Sequence, residues 1–213
     1  MRTDITVVLD RSGSMQVTRT DAMNGFNALV EDQKRLPGEA WLSLVQFDDQ
    51  YQVDYTETPI VAVAELTPDR YQPRGSTALL DAIGQTIDAI GNRLSARPER
   101  DRPEKVIVVI ITDGEENASR MFNAHQISQK IAHQRDVYKW EILFVGSNQD
   151  AVMTAAQMNI SAAHALTYAG TPRGTDVAFL AVSQSLKTSR SGGIGQFTDA
   201  QRAEAIESSD RES

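Results

Sequence analysis

Six consecutive apolar residues, V-I-V-V-I-I, occupy positions 106–111. All six side chains are β-branched, which favours a strand. Because successive side chains of a strand point to opposite faces, both faces of this strand are apolar. Such a strand has to be covered on both sides, as the central strands of parallel sheets are by helices. The run therefore predicts the centre of an α/β domain.

The rest of the chain alternates short apolar runs with stretches of helical periodicity, the pattern of an α/β fold with a mostly parallel sheet and helices on both faces. The link Asp48-Asp49-Gln50 is too short for a crossover helix, so it predicts one antiparallel edge strand and places these residues in a hairpin turn. The predicted strands are 4–9, 40–47, 51–57, 105–111, 139–145 and 164–167. The predicted helices are 20–35, 77–95, 123–135, 149–158 and 175–188.

The composition changes to Ser, Gly and charged residues near the C-terminal end. We therefore predict one domain at 1–188, followed by a linker and a polar tail at 189–213. A capping-box pattern at Thr198–Gln201 predicts a short helix that extends to about Ile206. We expect residues 196–213 to be an interaction tail outside the core, so truncation after Ser191 should leave the melting temperature nearly unchanged.

The charge balance argues against several kinds of partner. With 21 basic and 29 acidic residues the net charge is −8, which disfavours nucleic acid and anionic membrane surfaces as partners. The chain contains no cysteine, which excludes disulfides, zinc-thiolate sites and thiol catalysis. No apolar segment has the length of a signal peptide or a membrane span, so we expect a cytoplasmic protein.

Oxygen-bearing side chains follow the predicted strands at the points where the strands end. Asp10, Ser12 and Ser14 stand in D-R-S-G-S, Thr77 stands in R-G-S-T, and Asp113 follows the central strand in T-D-G. Ligand groups of an open α/β sheet gather at the carboxyl ends of its strands. Two carboxylates and three hydroxyls, without sulfur or nitrogen, form a hard oxygen site suited to Mg²⁺ or Mn²⁺. A cation would also relieve the repulsion between the two carboxylates.

Five further residues flank this predicted metal site and form a candidate partner-binding rim. Two of them are arginines that could attract an acidic ligand or could be ordinary surface charges, and a glutamate could likewise be a solvated loop residue. The three histidines have no close ligand spacing and are expected to be solvated or structural. The rim residues are Arg11, Arg74, Gly75, Ser76 and Glu115.

The five predicted ligands together resemble the metal-ion-dependent adhesion site of von Willebrand factor A (vWA) domains, which consists of D-x-S-x-S, a distant Thr and a distant Asp. The resemblance covers residues 4 to about 187 and is greatest to small stand-alone bacterial members. It implies a Rossmann-like fold and metal ligands at Asp10, Ser12, Ser14, Thr77 and Asp113. It also implies that a partner protein completes the coordination with an Asp or Glu side chain.

A magnesium-dependent phosphate-ester hydrolase or phosphotransferase is the alternative function. Aspartyl-nucleophile enzymes also begin with a strand that ends in Asp, but they place a second Asp two residues later, where this chain has Ser12. No phosphate-binding loop of the form G-x-x-x-x-G-K-[ST] is present. A scaffold for RNA, a third possibility, is disfavoured by the acidic charge balance. We therefore predict a metal-dependent binding module and not an enzyme.

Overall fold

The computed structural model describes residues 1–147 and 151–207, which form one six-stranded sheet covered by helices. The strands are β1 (Arg2–Asp10), β2 (Glu39–Phe47), β3 (Tyr51–Pro59), β4 (Lys105–Thr112), β5 (Glu141–Ser147) and β6 (Ala165–Tyr168). The helices are α1 (Arg19–Lys34), α2 (Leu79–Ser95), α3 (Ala124–Tyr138), α4 (Ala151–Gln157), α5 (Pro172–Arg190) and α6 (Asp199–Glu207). No helix among the described residues is both long enough and apolar enough to cross a membrane.

The strands follow the order β3-β2-β1-β4-β5-β6. All neighbours are parallel except β2 and β3, which pair antiparallel through the turn at residues 48–50. The predicted fold class, with a mostly parallel sheet and one antiparallel edge strand, is therefore confirmed. The chain reverses its direction of progress across the sheet between β1 and β4, and such switch points form a crevice at the carboxyl ends of the strands.

The central strand β4 separates two apolar cores, as its sequence predicts. Ile107, Val109 and Ile111 pack in the core that contains α1 and α5. Val108 and Ile110 pack on the other face, in the core that contains α2, α3 and α4. Strands that are buried on both faces hold their carboxyl ends rigidly, and the side chains that follow β1 and β4 therefore have a fixed support.

Helix α2 begins later than the sequence predicts. The predicted helix 77–95 begins at Thr77, but the first helical residue is Leu79, and its N-cap residue, Ala78, makes no side-chain cap. The backbone N–H of Thr77 instead donates to Oδ1 of Asn117 at 2.9 Å. The expectation is therefore wrong, because a contact from a distant loop holds Thr77 in the turn before the helix.

The C-terminal segment packs on the domain up to residue 207. Helix α6 opens with the predicted capping box at Thr198 and Gln201, and Phe197 and Ala205 are buried in the core that contains α1 and α5. The expectation that the tail lies outside the core is therefore wrong for residues 196–207.

Residues 208–213, and positions 149 and 150 of the predicted helix 149–158, lie outside the described residues. The division of the chain into a domain at 1–188 and an appended segment at 189–213 stays a prediction.

Candidate metal centre

Both carboxylate oxygens of Asp10, the last residue of β1, accept hydrogen bonds. Oδ1 accepts a hydrogen bond from the backbone N–H of Ser12 at 2.6 Å, and Oδ2 accepts from the hydroxyl of Thr112 at 2.5 Å. The phenol of Tyr71 donates to the backbone carbonyl of Asp10 at 2.6 Å. The side chain is fully buried. These contacts fix the carboxylate at the carboxyl end of the strand.

The serine hydroxyls connect the loop after β1 with the loop after β4. Oγ of Ser12 and Oγ of Ser14 lie 3.1 Å apart. Ser14 also donates from Oγ to Oδ1 of Asp113 at 2.5 Å. Ser12 and Asp113 are buried, whereas Ser14 is exposed. The polar cluster therefore begins inside the protein and reaches the surface at Ser14.

Thr77 approaches the same cluster from the turn before α2. Its carbonyl accepts from the N–H groups of Asn117 and Ala118 at 3.0 and 3.2 Å. A Cβ atom placed on Gly114 would lie 2.9 Å from Oγ1 of Thr77 and 3.4 Å from Oγ of Ser14. These two hydroxyls therefore converge on Gly114, and a side chain at that position would press on Thr77 and contact Ser14.

The two aspartates lie in an environment that disfavours their charge. Burial raises the pKa of Asp10 to about 6, against the hydrogen bonds from Thr112 and Ser12, and the nearby charge of Asp113 acts in the same direction as burial. Burial also raises the pKa of Asp113, against the hydrogen bond from Ser14. A divalent cation among these oxygens would offset both effects.

The donor set consists of oxygen atoms only, which suits a hard divalent cation. Within residues 1–147 and 151–207, no group of three or more His, Cys, Asp or Glu side chains is placed to hold a metal. The five predicted ligands contain only two carboxylates, and the remaining three are hydroxyls. A set of this kind fits Mg²⁺ or Mn²⁺, which accept neutral oxygen ligands and retain water.

The predicted rim residues occupy different environments. Gly75 is exposed and adopts a left-handed conformation, with φ at +66°, and Ser76 and Glu115 are also exposed. The side chain of Arg74 is 55% exposed. Arg11 is 5% exposed and lies inside the protein, so it is not an ordinary surface charge.

Asp48 holds both arginines of the predicted rim. Its Oδ2 accepts from Nε of Arg11 at 3.0 Å and from Nε of Arg74 at 2.8 Å. Burial alone would raise the pKa of Asp48, but the hydrogen bonds from Arg74 and the N–H of Gln50, with the charge of Arg11, lower it overall. Asp48 is therefore a charged turn residue that anchors the loops beside the metal centre, consistent with its expected place in the hairpin.

Sequence reasoning missed three residues that support the cluster. Thr112 and Tyr71 bind Asp10, and Asn117 binds the backbone of Thr77. Thr112 and Asn117 stand in the segment I-T-D-G-E-E-N, beside the predicted ligand Asp113. Their place next to Asp113 was the only sequence feature that indicated a supporting role for Thr112 and Asn117. Tyr71 is 61 residues from Asp10, and no sequence feature connected the two.

Comparison with known proteins agrees with this description. Residues 5–116 match the sequence profile of the von Willebrand factor type A domain. No match is found among curated protein sequences. Proximal thread matrix protein 1 from the mussel byssus, in a structure with a zinc-occupied MIDAS motif, aligns with a TM-score of 0.60 and 15% identity over 87% of this chain and 46% of that chain.

Two other solved structures are similar in fold. The von Willebrand factor type A protein from Catenulispora acidiphila has a TM-score of 0.57 and 15% identity, over 88% of this chain and 43% of that chain. The ArnB paralog VWA2 from Sulfolobus acidocaldarius has a TM-score of 0.54 and 14% identity, over 87% and 44%. This chain spans less than half of each of these proteins, and the likeness concerns the fold alone. Because the profile match covers more than half of its residues, the chain belongs to the von Willebrand factor type A domain family.

Proposed function

We propose that this domain binds a protein partner through a divalent cation, Mg²⁺ or Mn²⁺, held by Asp10, Ser12, Ser14, Thr77 and Asp113. The observation that supports it most directly is the contact of Ser14 with both Ser12 and Asp113 at the surface. This contact joins the loops after β1 and β4 in one polar cluster that a partner can reach. The zinc-occupied motif of the mussel protein is in keeping with a divalent ion at such a site.

The charges of the proposed ligands favour one more carboxylate. Asp10 and Asp113 together neutralise one divalent cation, and the three hydroxyls add no charge. A bound cation supplies a positive centre for hard oxygen ligands. Because the five proposed ligands include no third carboxylate, an Asp or Glu side chain of a partner protein is the expected further ligand.

A magnesium-dependent hydrolase is the competing proposal. Nucleophilic catalysis needs a nucleophile with a positioned base, and general acid–base catalysis needs a titrating group within hydrogen-bond reach of the substrate. Asp10 is fully buried, and its two oxygens already accept hydrogen bonds from Ser12 and Thr112. These contacts leave it poorly placed to attack a phosphate ester, which favours the binding function.

Calorimetry with Mg²⁺ and Mn²⁺ tests the metal site. We expect wild type to bind one ion and Asp113→Ala to lose binding, because that variant removes half of the negative charge in the cluster. Asp136→Ala is the matched control, since Asp136 is exposed and pairs with Arg135 at the far end of α3. Equal metal binding by wild type and Asp113→Ala would contradict the proposed site.

Capture of a peptide with a single aspartate tests the binding function. We expect capture in Mg²⁺, loss in EDTA, recovery when Mg²⁺ is restored, and no recovery with Asp113→Ala. Capture that persists in EDTA would point to a metal-independent scaffold. Turnover of a phosphate ester that depends on Mg²⁺ and disappears in Asp10→Ala would instead identify an enzyme.

A further inference from the structure

A polar cavity of about 310 Å³ lies beside the metal centre. Its lining includes the three arginines Arg11, Arg70 and Arg74, together with two glutamines and the aspartates Asp54 and Asp69. The volume is several times the approximately 30 Å³ that one water molecule occupies in the liquid. The cavity is therefore large enough for a small anionic group.

Arg11 has an unused hydrogen-bond donor although the side chain is buried. Its Nε donates to Asp48 at 3.0 Å and its Nη1 donates to Gln52 at 2.6 Å. Its Nη2 is buried and has no hydrogen-bond partner among the described residues. Buried donors of this kind are rare in native proteins, and each one calls for an explanation such as a bound water or ion.

Few N–H groups of these arginines donate hydrogen bonds to the carboxylates around them. Arg11 and Arg74 share a single acceptor atom, Oδ2 of Asp48. Arg70 lies 3.8 Å from Oδ2 of Asp54, which is an ion pair but is too long for a hydrogen bond. The aspartates Asp54 and Asp69 in the lining oppose an incoming anion, and of these two Asp69 is exposed and pairs with none of the three arginines in the described residues.

The cavity and the metal centre are on the same short loop. Arg11 stands between Asp10 and Ser12, two of the proposed metal ligands. The N–H of Arg74 donates to the carbonyl of Arg11 at 2.8 Å, and the N–H of Gly13 donates to the carbonyl of Gly75 at 3.2 Å. These bonds hold the arginine loops against the loop that carries Ser12 and Ser14. The arginine cavity and the proposed metal ligands are therefore supported by the same connected loops.

We propose that the cavity lined by Arg11, Arg70 and Arg74 is a second subsite that binds a further carboxylate of the partner that places its first carboxylate at the metal. This inference rests on the proposed function and specifies the partner: an acidic segment with two Asp or Glu residues at neighbouring or next-but-one positions. Cα atoms of adjacent residues are about 3.8 Å apart, so this choice of spacing matches the single residue, Arg11, that stands between Asp10 and Ser12. Guanidinium groups bind carboxylates through paired hydrogen bonds, which gives the subsite its selectivity.

Two synthetic peptides test the proposal in Mg²⁺, one with the core Asp-Ser-Asp and one with Asp-Ser-Asn in an otherwise Gly/Ser sequence. We expect the first to bind wild type about tenfold more tightly, as one hydrogen bond to a charged group would give. The Arg70→Gln variant should bind both peptides with the same affinity, and its affinity for Asp-Ser-Asn should equal that of wild type. Asp69→Asn should increase the difference. Arg100→Gln is the matched control, because Arg100 is exposed and precedes β4 at the opposite end of the sheet.

A measurement in EDTA separates this inference from the proposed function. Titration of metal-free wild type with the Asp-Ser-Asp peptide should shift the NMR signal of the Arg11 Nε–H group, and the shift should be smaller in Arg70→Gln. Equal affinities for the two peptides in Mg²⁺, without a shift in EDTA, would overturn the subsite and leave the metal function standing. A shift in EDTA without any effect of Mg²⁺ on affinity would support the subsite and overturn the metal function. Binding of a phosphoserine peptide but not of Asp-Ser-Asp would overturn the assignment to a carboxylate.

Discussion

At the scale of single residues, Thr112 supports the proposed metal ligand Asp10. Its hydroxyl donates to Oδ2 of Asp10 and accepts from the N–H of Gly114 at 3.2 Å. It therefore orients one carboxylate and also fixes the start of the loop that carries Asp113. Partners that hold a metal ligand in this way commonly contribute strongly to metal affinity.

Replacement of Thr112 by valine should weaken Mg²⁺ binding by about 10- to 100-fold, because the carboxylate of Asp10 loses its orienting donor. The metal-free protein should lose about 1–3 kcal/mol of stability, since a buried charged acceptor is left with one partner fewer. Calorimetry and denaturant unfolding measure the two effects.

Thr6→Val on the same strand as Asp10 is the matched control for this prediction. The hydroxyl of Thr6 is buried and has no hydrogen-bond partner among the described residues, so its removal should be neutral or stabilising. Equal metal affinity in Thr112→Val and wild type would show that Asp10 is oriented without Thr112.

At the scale of elements, helix α2 holds the loop that follows β4. Oδ1 of Asp81 accepts from the N–H groups of Met121 and Phe122 at 2.9 Å each, and Oδ2 accepts from that of Arg120 at 2.8 Å. From the loop itself, Glu116 accepts from the N–H of Leu80 at 2.9 Å. The loop carries Asp113 at its start. Hydrogen bonds between α2 and this loop, made by residues that are not proposed ligands, therefore help to fix the shape of the site.

Asp81→Asn should loosen this loop, because an amide offers one acceptor oxygen where the carboxylate offers two. We expect a loss of about 1–3 kcal/mol in stability, faster hydrogen exchange at residues 120–122 and weaker Mg²⁺ binding. Asp88→Asn on the same helix is the control, since the ion pair of Asp88 is with Lys130 on α3 and not with residues 120–122. Unchanged exchange at residues 120–122 in Asp81→Asn would refute the role of this clamp.

The elements also show what the sequence can and cannot predict. Hydrophobic periodicity located the strands to within a few residues, because two-sided burial leaves a strong local pattern. The start of α2 and the interior position of Arg11 were not predictable, since both are set by partners distant in sequence, Asn117 and Asp48. The five candidate ligands were identifiable from short motifs, but their supports Thr112 and Tyr71 became visible only through contacts.

At the scale of the whole molecule, the C-terminal segment completes the core beside β6, the terminal strand of the sheet. The N–H of Phe197 donates to the carbonyl of Ala163, and the N–H of Ala169 donates to the carbonyl of Ala205, both at 2.9 Å. Ala163 lies just before β6 in the sequence and Ala169 just after it, so the C-terminal segment is bonded to the chain at both ends of this strand. Helix α6 also packs against α5. The segment therefore has a structural role that its polar composition does not indicate.

Deletion of residues 196–213 should therefore destabilise the domain, contrary to what its composition predicts. The point variant Phe197→Ala isolates the main contact: Phe197 is 4% exposed, and truncation of a buried phenylalanine costs about 3–5 kcal/mol. For a domain of this size the melting temperature should fall by about 6–20 °C. Ile206→Ala is the control on the same segment, since Ile206 is 54% exposed and its loss should cost less than about 0.5 kcal/mol. Thermal unfolding measures all three variants, and a melting temperature that is unchanged in both the deletion and Phe197→Ala would show that the domain is stable without this segment.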